Sequence, residues 1–256
     1  MIRLAVACDP NHCDAESMAV LEWSVVKNTS CPVEMKWIKL SNTPGDYGYG
    51  WNTEKWATPF SGLRWGVAEL YNHTGHYIYS DSDVIFLGDL AELWNQPFNP
   101  GKVVLAKGGS SWRYCVSKWD AKAASDHIPP LEELKKDPLS HQKMGTYFRK
   151  NMNLTQAFEG DWNCLDGQGH PDLLDGKLKA VHYTNIPSQV HLPFAIERLK
   201  KQERKHWYDG KIVRHPREDL ILLFDKLLKE AHDAGFTVDR YTQDELFGSI
   251  NKRSFE

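Results

Sequence analysis

The feature that most constrains the fold is an apolar segment that contains two acidic residues. Residues 76–79 have the composition of a buried strand, Asp81 and Asp83 follow, and residues 84–87 are apolar again. A buried charge without a partner is costly, so carboxylates between two buried runs require a compensating group. In α/β proteins, ligands bind beyond the carboxyl ends of strands, and these two carboxylates stand at such an end.

Strand and helix patterns around this segment predict an α/β domain. A strand over residues 2–8, a helix over 17–27 and a strand over 33–40 open the chain, and this order favours a parallel sheet. Further strands are predicted at 76–79, 84–87, 103–106 and 179–183, and further helices at 61–72, 89–94 and 218–234. Residues 41–60 and about 108–178 are rich in Gly, Pro and Trp, and we expect them to be irregular.

The last predicted element is an amphipathic helix over residues 218–234. Its apolar residues recur at helical spacing, and Gly235 follows it as a stop signal. No stretch with the composition of a linker precedes it. We therefore expect one domain over residues 1–215 and a C-terminal helical extension over residues 216–256.

Composition argues against several classes of protein. The net charge of the 256 residues is −3, which provides no broad basic surface for nucleic acid. The N-terminal apolar run reaches Asp9 before a signal-peptide core could form, and the apolar stretch at residues 220–224 is too short to span a bilayer. Five cysteines without a Cys-x-x-Cys pair argue against a disulfide framework or a structural zinc site. They favour a reducing compartment, so we expect a cytoplasmic protein.

The spacing of Asp81 and Asp83 is suited to a divalent ion. An extended strand would send the two side chains to opposite faces, but a turn at the strand end can bring both carboxylates to one ion. Oxygen ligands suit Mg²⁺ or Mn²⁺, which keep positions open for the phosphate oxygens of a substrate. The alternative is a solvated turn, since Asp and Ser are common turn formers.

Four segments resemble one family of enzymes. The segment HYIYSDSDVIFLGDLAELW resembles the metal-binding segment of glycosyltransferase family 8 and related GT-A enzymes, which include glycogenin and bacterial lipopolysaccharide galactosyltransferases. AVACDPNH resembles the family's first strand, PFSGLRW its helix with a donor-binding Arg, and VHYTNIPSQVHLPF its late segment with a metal-ligating His. The resemblance covers roughly residues 1–95 and 160–194.

The resemblance implies a single GT-A, Rossmann-like domain with a mainly parallel central sheet flanked by helices. It implies a hexosyl- or pentosyltransferase that moves a sugar from a UDP-sugar to a glycan, glycolipid or glycoprotein with retention of configuration. It also implies Mn²⁺, or Mg²⁺, bound by Asp81, Asp83 and His182. Additional domains and a homo-oligomer both remain open.

Six residues are implied in binding the donor: Asp9, Asn11, His12, Arg64, Asp81 and Ser82. Asp9 would accept a hydrogen bond from the base, and its alternative role is an Asx turn before Asn11. His12 stands where the family has Tyr. Arg64 would pair with phosphate, and its alternative role is a surface salt bridge. Ser82 would contact the ribose.

Asp166 and Asn163 are the candidate catalytic residues, in a turn rich in Trp and Gly. A carboxylate there could orient the acceptor hydroxyl or stabilise positive charge that develops on the sugar ring. The alternative is a loop stabilised by Asx turns. Ser188 and Gln189 stand in the region where the family often has a Lys that contacts the diphosphate.

Two other functions remain open at the level of sequence. Residues 81–84 also match the signature of haloacid dehalogenase-type phosphatases, in which Asp81 would be a nucleophile and Asp83 a general acid. That family also needs a downstream strand that ends in paired acids, and none is convincing after residue 100. A non-catalytic module that binds glycans or partner proteins is the third reading, and it would bind nucleotide without a metal ion.

Overall fold

The computed structural model describes residues 1–108, 113–167 and 178–248. Its strands are β1 Ile2–Ala7, β2 Val33–Ile38, β3 His76–Asp81, β4 Val84–Phe86, β5 Val104–Lys107, β6 Arg113–Asp120, β7 Thr155–Ala157, β8 Cys164–Leu165 and β9 Ala180–His182. Its α-helices are α1 Ala15–Asn28, α2 Val67–Leu70, α3 Leu90–Trp94, α4 Ala121–Ser125, α5 Leu131–Lys136, α6 Ser140–Lys150, α7 Leu192–Lys201 and α8 Glu218–Asp233.

Six strands form the central sheet, in the order β2-β1-β3-β6-β5-β7. Strand β1 is parallel to β2 and β3, and β5 is parallel to β7, whereas β6 runs antiparallel to both β3 and β5. Strand β1 is buried along almost its whole length, as expected of a central strand that is apolar except at Arg3. The predicted α/β class with a mainly parallel sheet is confirmed.

The register of β1 and β3 brings the acidic segments of the chain together. Ala7, the last residue of β1, pairs with Asp81, the last residue of β3. Because the two strands are parallel, the residues that follow them leave the sheet at the same edge. The loop that begins at Cys8 and the turn that begins at Ser82 are therefore neighbours in space.

A second, three-stranded sheet in the order β4-β9-β8 lies at this edge. Strand β9 pairs antiparallel with β4, with His182 opposite Val84. On its other side β9 pairs parallel with β8, with His182 opposite Leu165. This small sheet places β9, from the late part of the chain, next to the end of β3.

Helix α8 packs against α1, and its apolar face lies in one hydrophobic cluster with residues of α1, β4 and β9. Its residues Leu220, Phe224 and Leu227 are buried, and Glu230 accepts a hydrogen bond from the Trp23 indole at 3.2 Å. No helix within the described residues combines the length and apolar composition needed to cross a bilayer. The domain boundary at residue 215 stays a prediction.

The prediction that residues 108–178 are irregular is wrong. Strands β6, β7 and β8 and helices α4, α5 and α6 all lie in the described part of this region. Strand β6 has no apolar run because it contains Lys118, which is buried and donates from Nζ to the Gln96 carbonyl at 2.5 Å. The helix predicted at 61–72 is instead a 3₁₀ turn over Leu63–Gly66 followed by the short α2.

Replacing Phe224 with Ala should lower the free energy of unfolding by about 3–5 kcal/mol, because it leaves a cavity between α8 and Tyr183. Leu222→Ala is the matched control, since Leu222 lies on the same helix and is 60% exposed. We expect the control to change the free energy by no more than about 0.5 kcal/mol. Chemical denaturation measures both, and equal losses would contradict this packing.

Candidate active site at the carboxyl edge of the sheet

The Asp81 carboxylate, at the end of β3, is held by two neighbouring side chains. Arg64 lies in the 3₁₀ turn Leu63–Gly66 and places Nη2 3.0 Å from Oδ1 and 3.1 Å from Oδ2 of Asp81. The Tyr79 hydroxyl donates to Oδ1 at 2.5 Å. The Arg64 and Asp81 side chains are 10% and 8% exposed, so each compensates a charge that would otherwise be buried alone.

Asp83 contacts two residues from the late part of the chain. Its Oδ1 lies 3.1 Å from Nε2 of His182, and its Oδ2 accepts a hydrogen bond from Gln189 Nε2 at 2.6 Å. The same Gln189 nitrogen donates to the Tyr183 carbonyl at 2.6 Å, which fixes the orientation of the amide. His182 reaches Asp83 because β9 pairs with β4, the strand that begins directly after Asp83.

Asn163 determines which nitrogen of His182 faces Asp83. Asn163 Oδ1 lies 2.9 Å from His182 Nδ1, so Nδ1 carries the proton and donates it to the amide oxygen. The neutral ring then directs the Nε2 lone pair at Asp83 Oδ1, a buried atom with no hydrogen-bond partner among the described residues. Two facing lone pairs repel each other unless a proton or a cation lies between them.

A proton can take this position when no cation does. Burial lowers the pKa of His182, but the Asp83 carboxylate raises it more, so the pKa lies above its ordinary value. A protonated Nε2 would donate to Asp83 and remove the repulsion. The position between His182 and Asp83 therefore favours positive charge.

A divalent metal ion fits the same geometry. The separation of 3.1 Å between Nε2 of His182 and Oδ1 of Asp83 suits two adjacent ligands of an octahedral ion with bonds of about 2.1 Å. An oxygen of Asp81 lies within 4.8 Å of a His182 ring nitrogen. Carboxylate oxygens with one imidazole nitrogen are acceptable to Mn²⁺. The structure thus brings together the three residues assigned to the metal ion from the sequence, and their role as ligands stays a prediction.

Asp14, at the start of α1, links the first loop to the Asp-Ser-Asp segment. Its Oδ2 accepts hydrogen bonds from the Asp9 backbone at 3.0 Å and from the Ser82 hydroxyl at 2.8 Å. Asp9 forms an Asx turn, because its Oδ1 accepts from the backbone of Asn11 at 2.7 Å and of Cys13 at 2.9 Å. Asp9 Oδ2 is buried and has no hydrogen-bond partner in the described chain, so it remains an available acceptor.

Asp9 and Asp14 are buried side by side, and this raises the pKa of both. For Asp9 the larger cause is burial and the next is the Asp14 charge, and together they raise the pKa to about 7. Burial is also the main cause for Asp14, although the hydrogen bond from Ser82 opposes it. Two neighbouring carboxylates away from water are costly when both are ionised, so one of the pair keeps its proton until the pH approaches neutrality.

The loop that contains Asn11 and His12 is held by α7 and the segment after it. His12 has a φ of 63°, in the left-handed region, and its carbonyl accepts from Arg198 Nη2 at 2.7 Å. Arg198 is itself paired with Glu16 at 2.7 Å, and Arg204 donates to the Asn11 carbonyl. His12 Nε2 and Asn11 Oδ1 are buried and have no hydrogen-bond partner within the described ranges. The loop is thus fixed through its backbone, while polar side-chain atoms remain available.

Asp166 and Asn163 lie behind the cleft. Asp166 Oδ1 accepts from the backbone and hydroxyl of Thr184 at 3.2 and 2.9 Å, and its Oδ2 lies 3.2 Å from His215 Nε2. Asn163 is fully buried against His182. Asp166 and Asn163 thus contact Thr184 and His182, which line the cleft. The catalytic role of Asp166 and Asn163 stays a prediction.

A cleft of about 180 Å³ lies beside these residues. The predicted site residues that line it are Arg64, Asp81, Ser82, Asp83 and His182. Gln189, which stands in the region where the family often has a Lys, also lines the cleft, and lining residues that the sequence did not single out include Asp14, Arg113, Cys115, His191 and Trp207. A larger cavity of about 570 Å³ lies along β2, away from Asp81 and Asp83, so cavity size alone would misplace the site.

A second group of side chains, Asp14, His191 and His206, also brings its polar atoms within 4.8 Å of one another. The backbone of Tyr208 donates to His206 Nδ1 at 2.9 Å, so the neutral His206 ring carries its proton on Nε2. Burial lowers the pKa of His206 to about 3, which keeps the ring neutral. A protonated ring nitrogen is a hydrogen-bond donor, so this group is less suited to a metal ion than the first.

No known family model matches the sequence, and no curated protein matches it. Solved structures do match the fold. The galactosyltransferase LgtC, in complex with donor and acceptor sugar analogues, superposes with a TM-score of 0.58 over 90% of this chain and 96% of that one, at 13% identity. GlyE, a glycosyltransferase in Streptococcus pneumoniae TIGR4, gives 0.57 over 92% of this chain and 64% of that one, at 12% identity.

The bifunctional glycosyltransferase WbbM also matches, with a TM-score of 0.55 over 91% of this chain and 51% of that one, at 13% identity. At these identities the similarity shows the fold alone. The chain has the GT-A glycosyltransferase fold, related to that of family 8, and the fold implied by the sequence resemblance is confirmed.

The raised pKa of Asp9 predicts a pH-dependent stability. The folded pKa of about 7 exceeds the ordinary value near 4, so the folded chain binds more protons. The resulting stability is present below about pH 4 and is lost as the pH rises through about 7. The wild type should therefore lose on the order of 4 kcal/mol of unfolding free energy, relative to Asp9→Asn, across this range.

Urea denaturation at several pH values measures this difference. An Asn side chain can still accept the Asx-turn hydrogen bonds from Asn11 and Cys13, so the turn is retained in the variant. Asp126→Asn, at an exposed position, is the matched control. A difference between wild type and Asp9→Asn that stays constant with pH would contradict the burial of this carboxyl group.

Proposed function

We propose that this chain is a metal-dependent glycosyltransferase that moves a sugar from a nucleotide-sugar donor to a hydroxyl group of an acceptor. The observation that carries the proposal is the convergence of Asp81, Asp83 and His182 on one cleft, where Asp83 Oδ1 lies 3.1 Å from His182 Nε2 and an Asp81 oxygen lies within 4.8 Å of a His182 ring nitrogen. The GT-A fold supports it, since the similar solved structures are of glycosyltransferases. Uridine as the nucleoside, Mn²⁺ as the ion and retention of configuration follow the family resemblance and belong to the same proposal.

The charge of the site suits a diphosphate. A bound Mn²⁺ or Mg²⁺ would neutralise the diphosphate and act as a Lewis acid for the departing nucleotide. Asp81 and Asp83 contribute −2, and Arg64, paired with Asp81, contributes +1. A divalent ion would therefore leave this group of charges at +1, which attracts a diphosphate. In this account Arg64 sets the charge of the site through Asp81.

The nucleoside end of the donor would lie toward the first loop. Asp9 Oδ2, a buried acceptor with no hydrogen-bond partner in the described chain, is suited to an N–H of a base, and Asn11 Oδ1 is a second such acceptor nearby. The Ser82 hydroxyl already donates to Asp14, so we propose that Ser82 contacts the ribose as a hydrogen-bond acceptor or through its backbone. Arg198 and Arg204 hold this loop in place through its carbonyl groups.

Asn163 and Asp166 would act on the transfer step by positioning neighbours. Asn163 holds the His182 ring with Nε2 toward the ion site. Asp166 holds Thr184, which lines the cleft, and we propose that it orients the acceptor hydroxyl through this residue. LgtC is solved with both donor and acceptor sugar analogues, and we propose that this chain likewise takes a glycan, glycolipid or glycoprotein acceptor.

The ion pair at Asp81 disfavours a phosphatase. A nucleophilic carboxylate has to attack phosphorus, and pairing with Arg64 weakens Asp81 as a nucleophile. Coordination of a metal ion needs only one remaining lone pair, and in the part of the chain that the structure describes Oδ2 of Asp81 accepts from Arg64 alone. For a compartment we propose the cytoplasm, since all five cysteines are free.

Replacing Asp83 with Asn should abolish the metal-dependent stabilisation of the protein by UDP-sugars. The substitution keeps the size of the side chain but removes the charge that faces His182. Wild-type protein should show a higher Tm with UDP-sugar and Mn²⁺ together than with either alone, because a ligand that binds only the folded state stabilises it. Differential scanning fluorimetry with UDP-glucose, UDP-galactose and UDP-xylose measures the shift.

Asp126→Asn is the control for the loss of one carboxylate at an exposed position, and it should keep the full shift. Donor hydrolysis and transfer to added glycan acceptors, followed by mass spectrometry, then identify the sugar. A UDP-sugar shift that persists in Asp83→Asn would count against the proposed site. A shift in wild type that needs no metal would favour a non-catalytic binding module.

Replacing Asn163 with Ala should weaken Mn²⁺ binding by about 10–100-fold, because the residue fixes the tautomer and orientation of His182. Electron paramagnetic resonance of free Mn²⁺ gives the affinity independently of turnover. His182→Ala removes the ligand itself and should weaken binding at least as much. An unchanged Mn²⁺ affinity in Asn163→Ala, with a folded protein, would refute its positioning role.

A further inference from the structure

Cys115 lies at the same site, and neither the proposed reaction nor the family resemblance uses it. It is in β6, one residue before Val116, which pairs with Ser80 in β3. This register places Cys115 next to Asp81, and its side chain lines the cleft. Its Sγ, a carboxylate oxygen of Asp81 and a ring nitrogen of His182 all lie within 4.8 Å of one another.

We propose that Cys115 gives this site a sulfur ligand, so that it binds thiophilic divalent ions such as Cd²⁺ and Zn²⁺ through Asp81, Cys115 and His182. The inference rests on the part of the proposed function that makes Asp81 and His182 metal ligands. Sulfur ligands select soft ions, whereas carboxylates select hard ones. A site that combines both accepts either class.

The local contacts leave the thiol available for an ion. Cys115 is a free cysteine, and within the described residues Arg64 Nη1 donates a weak hydrogen bond to its Sγ at 3.5 Å. The guanidinium of Arg64 lies beside both Asp81 and Cys115, so it can offset part of the negative charge that a thiolate would add. No stronger interaction of the sulfur has to be broken when an ion binds.

Binding proceeds without electron transfer. The S–H bond of Cys115 breaks, its proton passes to the buffer, and the sulfur electron pair forms a bond to the ion, as a coordinating thiol is deprotonated. The charges of Asp81, Asp83 and the thiolate then sum to −3, and Arg64 and the ion contribute +3. Within this set of groups the charge is then zero, which is one unit less positive than with an ion that leaves the thiol protonated. Cd²⁺ and Zn²⁺ should therefore attract a diphosphate less strongly than Mn²⁺ does.

Titration of the protein with Cd²⁺ tests the proposal through the sulfur-to-metal charge-transfer band in ultraviolet difference spectra. Wild type should develop this band and saturate with one ion per chain. Cys115→Ser should lose the band, and Cys31→Ser should keep it, since Cys31 is half-buried like Cys115 but is outside the cleft. Absence of the band in wild type, or its full retention in Cys115→Ser, would overturn the proposal.

Alkylation of wild-type protein gives a second measurement that does not depend on the folding of a variant. Cd²⁺ should slow iodoacetamide modification of Cys115 and leave that of Cys31 unchanged, as read by peptide mass spectrometry. Equal rates at Cys115 with and without Cd²⁺ would reject the sulfur ligand. If Cd²⁺ produces no charge-transfer band and no protection of Cys115, while the Mn²⁺-dependent Tm shift with UDP-sugar still depends on Asp83, only this inference is wrong. If both fail, the proposed function is wrong as well.

Discussion

The site depends on three carboxylates in one small cleft: those of Asp14 and Asp81 are buried, and that of Asp83 is 14% exposed. Each is compensated in a different way. Asp81 is paired with Arg64, Asp14 accepts hydrogen bonds and has a raised pKa, and Asp83 faces His182 and a side-chain amide. The position between Asp83 and His182 still favours an added positive charge. A buried charge at this position would be destabilising without a partner. The same electrostatic cost therefore favours a cation as the ligand.

The topology explains why these charges meet. Parallel pairing of β1 and β3 aligns the two strand ends, and the small sheet β4-β9-β8 brings His182 next to Asp83. Helix α7 then fixes the first loop through Arg198. The ion site and the loop assigned to the nucleoside are therefore supported by separate parts of the fold, and Asp14 connects them through Ser82 and the Asp9 backbone.

The elements that can be predicted from the sequence are those whose residue pattern is local. The opening strand–helix–strand and the segment around Asp81 have patterns that need no distant contact, and the structure contains them. Strand β6 cannot be predicted from its residues because Lys118 is buried through distant contacts, to the Gln96 carbonyl and to the rings of Trp94 and Phe98. Cys115 was missed with it. Asp14 has the appearance of a helix cap, but its side chain makes no capping bond and turns toward Ser82 instead.

The central claim is that one divalent ion binds between Asp81, Asp83 and His182. A crystal grown with Mn²⁺ and UDP, measured for anomalous scattering from manganese, tests it most directly. The account predicts one anomalous peak at about 2.1–2.3 Å from oxygens of both aspartates and from Nε2 of His182, with diphosphate oxygens completing the shell. A peak located elsewhere, or ordered UDP at this cleft with no peak beside it, would contradict the account.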